Sequence, residues 1–190
     1  MEMQGSQTEQ NLMKAFAGES QARNRYTFCE SVARGEGYVQ IANLFRETAD
    51  NEKEHAKVFF KLLDGGMVEF TASYPAGWVG DTAANLLAAA EGEKEEWGTL
   101  YPEFAHIAEE EGFAQVAVAF REIANVESYH ERRYRKLLAN VEAGQVFKKD
   151  EKTLWKCNNC GYVHEGDTAP KTCPSCAHPV DHFEVWVEAY

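Results

Sequence analysis

Glu52-Lys53-Glu54-His55 and Glu127-Ser128-Tyr129-His130 are two copies of one pattern, Glu-x-x-His, set 75 residues apart. On an α-helix, residues three apart lie one turn apart on nearly the same face. Each copy can therefore aim a carboxylate and an imidazole at one point, which is metal-binding chemistry. A solitary copy usually belongs to a solvated acidic face. Here the match runs much further. Shifting residues 37–63 onto 112–138 aligns 12 identical residues in 27, among them Gln40/Gln115, Phe45/Phe120, Arg46/Arg121 and Glu47/Glu122. Self-similarity of this length marks a duplicated helical hairpin.

The elements that position these side chains follow from periodicity and punctuation. Ser6-Gln7-Thr8-Glu9 has the form of a capping box. Leu12, Phe16, Ala22, Tyr26 and Val32 then recur at helical spacing as far as Ala33. After a turn at 34–37, a second helix is predicted from about 38 to 64, stopped by Gly65-Gly66. Residues 67–80, with Pro75, Gly77 and Gly80, predict an extended crossover. Asp81-Thr82 starts a third helix, which Pro102 should kink or interrupt. Gly112 marks a turn, and a fourth helix is predicted from about 113 to 142. Two hairpins joined by one long crossover make a ferritin-like up-down four-helix bundle. Tyr26 and Tyr101 keep the 75-residue offset, but Glu19 plus 75 is Lys94, one residue past Glu93. The extra residue between Glu93 and Tyr101 predicts a π-bulge, a device common at functional sites.

Mid-helix acids then fall into register: Glu19 on helix one, Glu52 with His55 on helix two, Glu93 and Glu96 on helix three, and Glu127 with His130 on helix four. One glutamate from each of two helices plus Glu-x-x-His from each of the others is the ligand set of two-metal carboxylate bundles, and here one carboxylate is left over. Five ionised carboxylates facing an apolar interior repel one another and resist desolvation. Two metal ions offset that charge; without them several glutamates should take up protons. Oxygen-rich ligation with two imidazoles suits iron or manganese. Gly18 and Gly92 each precede a ligand candidate and allow close approach of a neighbouring helix. Tyr26 and Tyr101 read equally as core aromatics and as hydrogen-bond donors to ligand carboxylates.

Four of the five cysteines form two pairs, Cys157/Cys160 and Cys173/Cys176, separated by twelve residues. Each pair can turn two thiolates toward one ion, and four thiolates close a tetrahedral site. Spacing alone leaves iron and zinc open, since zinc ribbons share it; a redox bundle upstream favours iron. Trp155, Tyr162, Phe183 and Trp186 are the expected aromatic core of this small unit, which is too short for a large core and should depend on its metal. Residues 1–146 are read as the bundle and 147–190 as the thiolate domain, with 146–150 as the linker. The fold class is therefore mainly α with a small β/turn metal-binding domain.

The chain has 190 residues and a formal net charge of −12, which argues against nucleic acid as a partner. Its polar, acidic N-terminus is no secretory signal, and no apolar run approaches a membrane span. A cytoplasmic location without membrane contact is expected. Cys29 reads as a buried helix-one side chain. His106, His164, His178 and His182 have no partner at ligand spacing. Residues 109–111 read as a solvated helix end, and Glu47 and Glu122 as salt-bridge or supporting groups.

Together these residues resemble the rubrerythrin family over essentially the whole chain. The resemblance is carried by Ala17-Gly18-Glu19-Ser20-Gln21-Ala22, the two Glu-x-x-His copies, Gly92-Glu93-x-x-Glu96, and the rubredoxin-like Cys157-x-x-Cys160-Gly161-Tyr162 with Cys173-Pro174-x-Cys176. It implies a non-haem di-iron peroxidase that reduces hydrogen peroxide to water, with two irons in the bundle and one in the four-cysteine site. By the same resemblance Glu52 and Glu127 would bridge the irons, and Glu93 with His130 would hold one. Glu19 would hold the other, joined by Glu96 in the oxidised state and His55 in the reduced state. Electrons would come from a rubredoxin or an NAD(P)H-dependent rubredoxin reductase, because this chain has no G-x-G-x-x-G fingerprint. Family members are homodimers. One departure is Ala177, where a glycine commonly follows the fourth cysteine. The other classes the residues admit are a ferroxidase, and an iron-handling or zinc-bearing protein without turnover.

Overall fold

In a computed structural model describing residues 2–77 and 79–189, helix α1 runs Gln7–Gly35 and α2 Val39–Lys61. Ser6 caps α1, its Oγ accepting from Glu9 N–H at 3.0 Å. The return bond of the expected capping box is displaced by one residue: Glu9 accepts from Gly5 N–H at 2.8 Å. A turn with Gly37 at φ +85° reverses the chain into α2, because only a residue without Cβ enters that region at low cost. Helix α2 ends at Lys61, three residues before the predicted end at 64. No regular helix or strand forms among the described residues of 62–81, as the crossover reading expects.

The third bundle helix is composite. It comprises α3, Thr82–Glu95, then a π turn over Glu96–Leu100, then α4, Tyr101–Glu110. Tyr101 N–H reaches back five residues to Glu96 O. The extra residue inferred from the broken 75-residue offset is absorbed there. Pro102 follows immediately, and the helix runs on through it to Glu110 rather than being interrupted. Helix α5, Ala114–Glu142, completes the bundle.

Apolar faces of the four bundle helices meet in two clusters. One contains Leu12, Phe59, Phe104, Val116 and Phe120. The other contains Tyr26, Ile41, Phe45, Leu86 and Tyr134. A fully buried ring such as Phe45, Phe59 or Phe120 stabilises the fold by roughly 2 kcal/mol. On every helix the predicted ligands sit between the two clusters in sequence. The metal-ligand layer is therefore a polar slab clamped by apolar packing on both sides.

The C-terminal unit is a three-stranded antiparallel sheet ordered β2-β1-β3, with β1 Lys148–Cys157, β2 Val163–Thr168 and β3 Phe183–Val185. Lys148–Asp150, expected to be linker, already belongs to β1. Trp155, Cys157, Ala169, Cys173 and Phe183 form its core, with Phe147 and Tyr162 packed against them. Trp186 stays outside this core; Lys156 Nζ lies 4.4 Å from its ring centroid instead. The unit rests on the bundle through a stacked Tyr38–Phe147 pair with centroids 6.1 Å apart and a Lys149–Asn140 hydrogen bond of 3.0 Å.

Candidate metal centres

Two four-residue sets converge in the bundle. Ligand atoms of Glu19, Glu52, His55 and Glu127 lie within 4.8 Å of one another, and so do those of Glu52, Glu93, Glu127 and His130. Glu52 and Glu127 belong to both sets, so each can offer one oxygen to either of two neighbouring ions. The two imidazoles lie 6.0 Å apart, centroid to centroid. The duplicated hairpin thus produces a near-symmetric pair of sites with one Glu-x-x-His contributed to each.

The interior of this pair is built to hold positive charge. His55 Nδ1 lies 2.9 Å from Glu52 Oε2, 2.8 Å from Glu127 Oε1 and 3.7 Å from Glu19 Oε2. His130 Nδ1 lies 2.7 Å from Glu127 Oε2, 3.4 Å from Glu52 Oε1 and 3.7 Å from Glu93 Oε2. One N–H cannot serve three carboxylates. Oxygens Glu19 Oε2, Glu52 Oε1, Glu93 Oε2 and both of Glu127 are buried without a hydrogen-bond partner, as is His130 Nδ1. Buried polar atoms are paired as a rule. Six unpaired ones aimed into one volume would be satisfied together by two bound cations.

Electrostatics agree. Burial first, then neighbouring carboxylates, push Glu19, Glu93 and Glu96 well above the ordinary carboxylate range. Burial would raise Glu127 too, but its contacts with His130 and His55 outweigh that and bring it down to about 2. Burial opposes the charge on His130, yet Glu127, Glu52 and Glu93 raise its pKa to about 12. His55 shifts in the same direction, burial opposing its charge and Glu127, Glu19 and Glu52 favouring it. A metal ion reverses this logic by replacing those protons.

Tyrosine donors hold the outer oxygens. Tyr26 Oη donates to Glu93 Oε1 and Tyr101 Oη to Glu19 Oε1, each at 2.5 Å. Each tyrosine serves the glutamate of the opposite helix, a crossed arrangement that orients both carboxylates. Of the two roles open to these residues in sequence, both apply, since Tyr26 and Tyr101 are also buried core aromatics.

Glu96 stands apart. It starts the π turn and belongs to neither four-residue set. It is half-buried, and a Cβ built on Gly18 would meet its Oε1 at 4.0 Å. The leftover carboxylate of the sequence is therefore the one that faces a side pocket while His55 occupies the cluster.

In the small domain the four thiols Cys157, Cys160, Cys173 and Cys176 lie within 4.8 Å of one another. Cys157 Sγ is 3.8 Å from Cys176 Sγ, and Cys160 Sγ 3.6 Å from Cys173 Sγ. The two turns match. Gly161 N–H donates to Cys157 O and Ala177 N–H to Cys173 O, both at 2.9 Å. Gly161 has φ +79° and Ala177 φ +58°. Ala177 thus holds, with a side chain, the left-handed position that glycine holds in the other turn. The backbone N–H of His178 is the main cause lowering Cys176 to about 6, which favours the thiolate that binds metal.

Some side chains depart from expectation. Glu111 is no solvated helix end: it accepts from Gln7 N–H at 3.1 Å, Thr8 N–H at 2.8 Å and Thr8 Oγ1 at 2.6 Å, capping α1 from the far end of α4. Glu47 bridges to Arg133 at 2.6 Å, whereas its repeat partner Glu122 is exposed. Cys29 is buried on α1. His178 and His182 pack edge to face with centroids 4.7 Å apart, a contact their spacing did not reveal.

Comparison with known proteins agrees with this geometry. A family model described as Rubrerythrin matches residues 10–138, and one described as Rubrerythrin, rubredoxin-like domain, matches residues 155–184. The rubrerythrin of Porphyromonas gingivalis is 62% identical over 182 residues, covering 96% of this chain and 91% of that protein. The solved structure of nigerythrin in its fully reduced, all-ferrous state is 34% identical, with a TM-score of 0.64 over 96% of this chain and 87% of that one. A bacterioferritin of Mycobacterium tuberculosis, 18% identical with a TM-score of 0.60 over 72% of this chain and 86% of its own, shares the ferritin-like fold. Bundle, paired carboxylate–histidine sets and four-cysteine unit occur here in one chain that matches both models in order, and the chain belongs to the rubrerythrin family.

Proposed function

We propose that this protein is a non-haem di-iron peroxidase, reducing hydrogen peroxide to water with electrons relayed through a thiolate-bound iron. The observation that carries this reading is the pairing of two overlapping carboxylate–histidine sets with a four-cysteine site in the same chain. Iron bound at these sites would supply the two electrons of H2O2 + 2 e− + 2 H+ → 2 H2O. The chain's own residues provide the rest. Glu52 and Glu127 offer oxygens to both positions. Glu93 and His130 complete one side, and Glu19 with His55 the other. Tyr26 and Tyr101 keep their protons, because burial and the adjacent glutamates raise both phenols, so they hold Glu93 and Glu19 as fixed donors.

His55 inside the set and Glu96 outside it match the reduced arrangement implied by the family resemblance. Exchanging neutral His55 for anionic Glu96 would add ligand charge as the site is oxidised, keeping its total charge nearly constant. The exposed Cys160 and half-buried Cys176 offer an external donor, a rubredoxin or its NAD(P)H-linked reductase, a path to the thiolate site. The homodimer belongs to this reading too.

The deciding experiment is anaerobic. The iron-loaded protein is fully reduced and mixed with one equivalent of hydrogen peroxide or dioxygen while the iron–thiolate bands are followed. Reoxidation much faster with peroxide supports the proposal. Faster reaction with dioxygen makes the protein a ferroxidase, and the absence of iron–thiolate colour removes the relay.

A further inference from the structure

A second cavity, of about 500 Å³, opens beside the metal-ligand layer between α1, the π turn and the crossover, lined by Gly18, Gln21, Arg25, Tyr74, Glu96 and Phe104. Its inner wall carries Glu96, the carboxylate left out of both ligand sets. Its outer wall is the crossover segment 71–75. Tyr74 is anchored there, its Oη donating to Lys14 O at 2.7 Å. A Cβ at Gly18 would meet Tyr74 Cε1 at 3.6 Å and Glu96 Oε1 at 4.0 Å, which is ordinary contact. Alanine would therefore fit at Gly18, and in mid-helix it would be more stable by roughly 0.5–1 kcal/mol. Glycine at this position leaves open the gap between the tyrosine ring and the glutamate. Gly92, on α3, also lines the pocket, and a Cβ built there would meet Arg25 Nη2 at 3.8 Å. The Arg25 guanidinium lines the pocket beside it, a cationic group on the wall that a small polar guest would meet.

We propose that this pocket is the admission site through which small oxidants reach the metal-ligand layer, and that Tyr74, anchored on Lys14, restricts it to molecules of hydrogen peroxide's size. Gly18 and Gly92 keep the passage open, and Glu96 stands at its inner end. The inference rests on the proposed peroxidase reading for its guest, but the aperture is a property of this chain's side chains and can be read without turnover.

The test uses iron-loaded full-length protein as wild type, Tyr74→Ala, Tyr74→Phe and Gly18→Val. The first readout is the rate at which azide binds the oxidised protein, followed optically. The second is the ratio of rate constants for hydrogen peroxide and tert-butyl hydroperoxide. Tyr74→Ala is expected to lower that ratio by about tenfold or more while changing the hydrogen peroxide rate little. Tyr74→Phe keeps the ring, loses the anchor and should fall between. Gly18→Val fills the gap and should slow azide association and dissociation alike, leaving its affinity near wild type. Identical azide rates in all four proteins, or an unchanged ratio in Tyr74→Ala, overturn the proposal. If no hydroperoxide reacts but azide rates follow the expected order, the peroxidase reading fails and the aperture stands.

Discussion

At the residue scale, the crossed tyrosines show how much one proton matters in a dry site. Tyr101→Phe removes the donor to Glu19 Oε1, leaving that fully buried carboxylate with both oxygens unpartnered, since Oε2 already is. The expected result is metal affinity weakened about 10- to 100-fold, with helix content unchanged, read by competition against a chelator. Tyr26→Phe should act likewise through Glu93. Ala177 offers a cleaner case. Its φ of +58° is costly for a residue with a Cβ, so Ala177→Gly should stabilise the metal-loaded thiolate domain by about 1 kcal/mol, less what the freer unfolded chain takes back. A raised denaturation midpoint for loss of the thiolate bands checks it. Sequence pointed to Ala177 only as a departure from the usual glycine; the strain is visible only in the dihedral.

At the scale of elements, the π turn is the feature with most consequence. It sets Glu96 on the pocket wall while Glu93 one turn earlier points into the ligand layer. Deleting Gly98, exposed in the middle of that turn with open space around it, should restore regular α-helix and leave Glu93 and Tyr101 seven residues apart, as Glu19 and Tyr26 are on α1. Tyr101 then keeps its place beside Glu19. The expected outcome is a folded bundle that still binds two equivalents of metal, measured by metal analysis after desalting; a lost equivalent would show that the extra residue sets more than the local turn. The bulge was legible because the internal repeat acts as a ruler: a 75-residue offset that holds for the tyrosines fails for the acids. No such ruler existed for Glu111. Its capping of α1 joins residues 103 and 104 positions apart, and no local pattern encodes that.

For the whole molecule, the ligand layer couples stability to pH. Glu19, Glu93 and Glu96 have folded pKa values raised above the ordinary 4.5. Their stabilisation is fully present below that value and is lost as pH rises toward the folded pKa. His55 and His130 are raised above 6.5 and lose theirs from there upward. Glu127, lowered to about 2, contributes above 4.5 and is lost only as pH falls through about 2. The metal-free bundle should therefore unfold at lower temperature at pH 8 than at pH 5, followed by helical circular dichroism. Metal loading should remove most of that slope, because the ions take the place of the protons and bind more tightly as pH rises. A metal-free bundle equally stable at both values would refute the coupling.

The sequence by itself determined the helices, their order and the identity of the donor set, because these follow from local periodicity, capping residues and a duplication that repeats Glu-x-x-His in register. It determined the four-cysteine unit as well, since two short turns with fixed spacing leave few other uses for those thiols. Tertiary structure alone decided which tyrosine serves which glutamate, and that His55 is inside the cluster while Glu96 faces the pocket. It also left Trp186 outside the small core and placed Phe147 against it. Each of these depends on helices or strands meeting across long sequence separations. There a side chain's role is set by a neighbour that the local pattern does not contain.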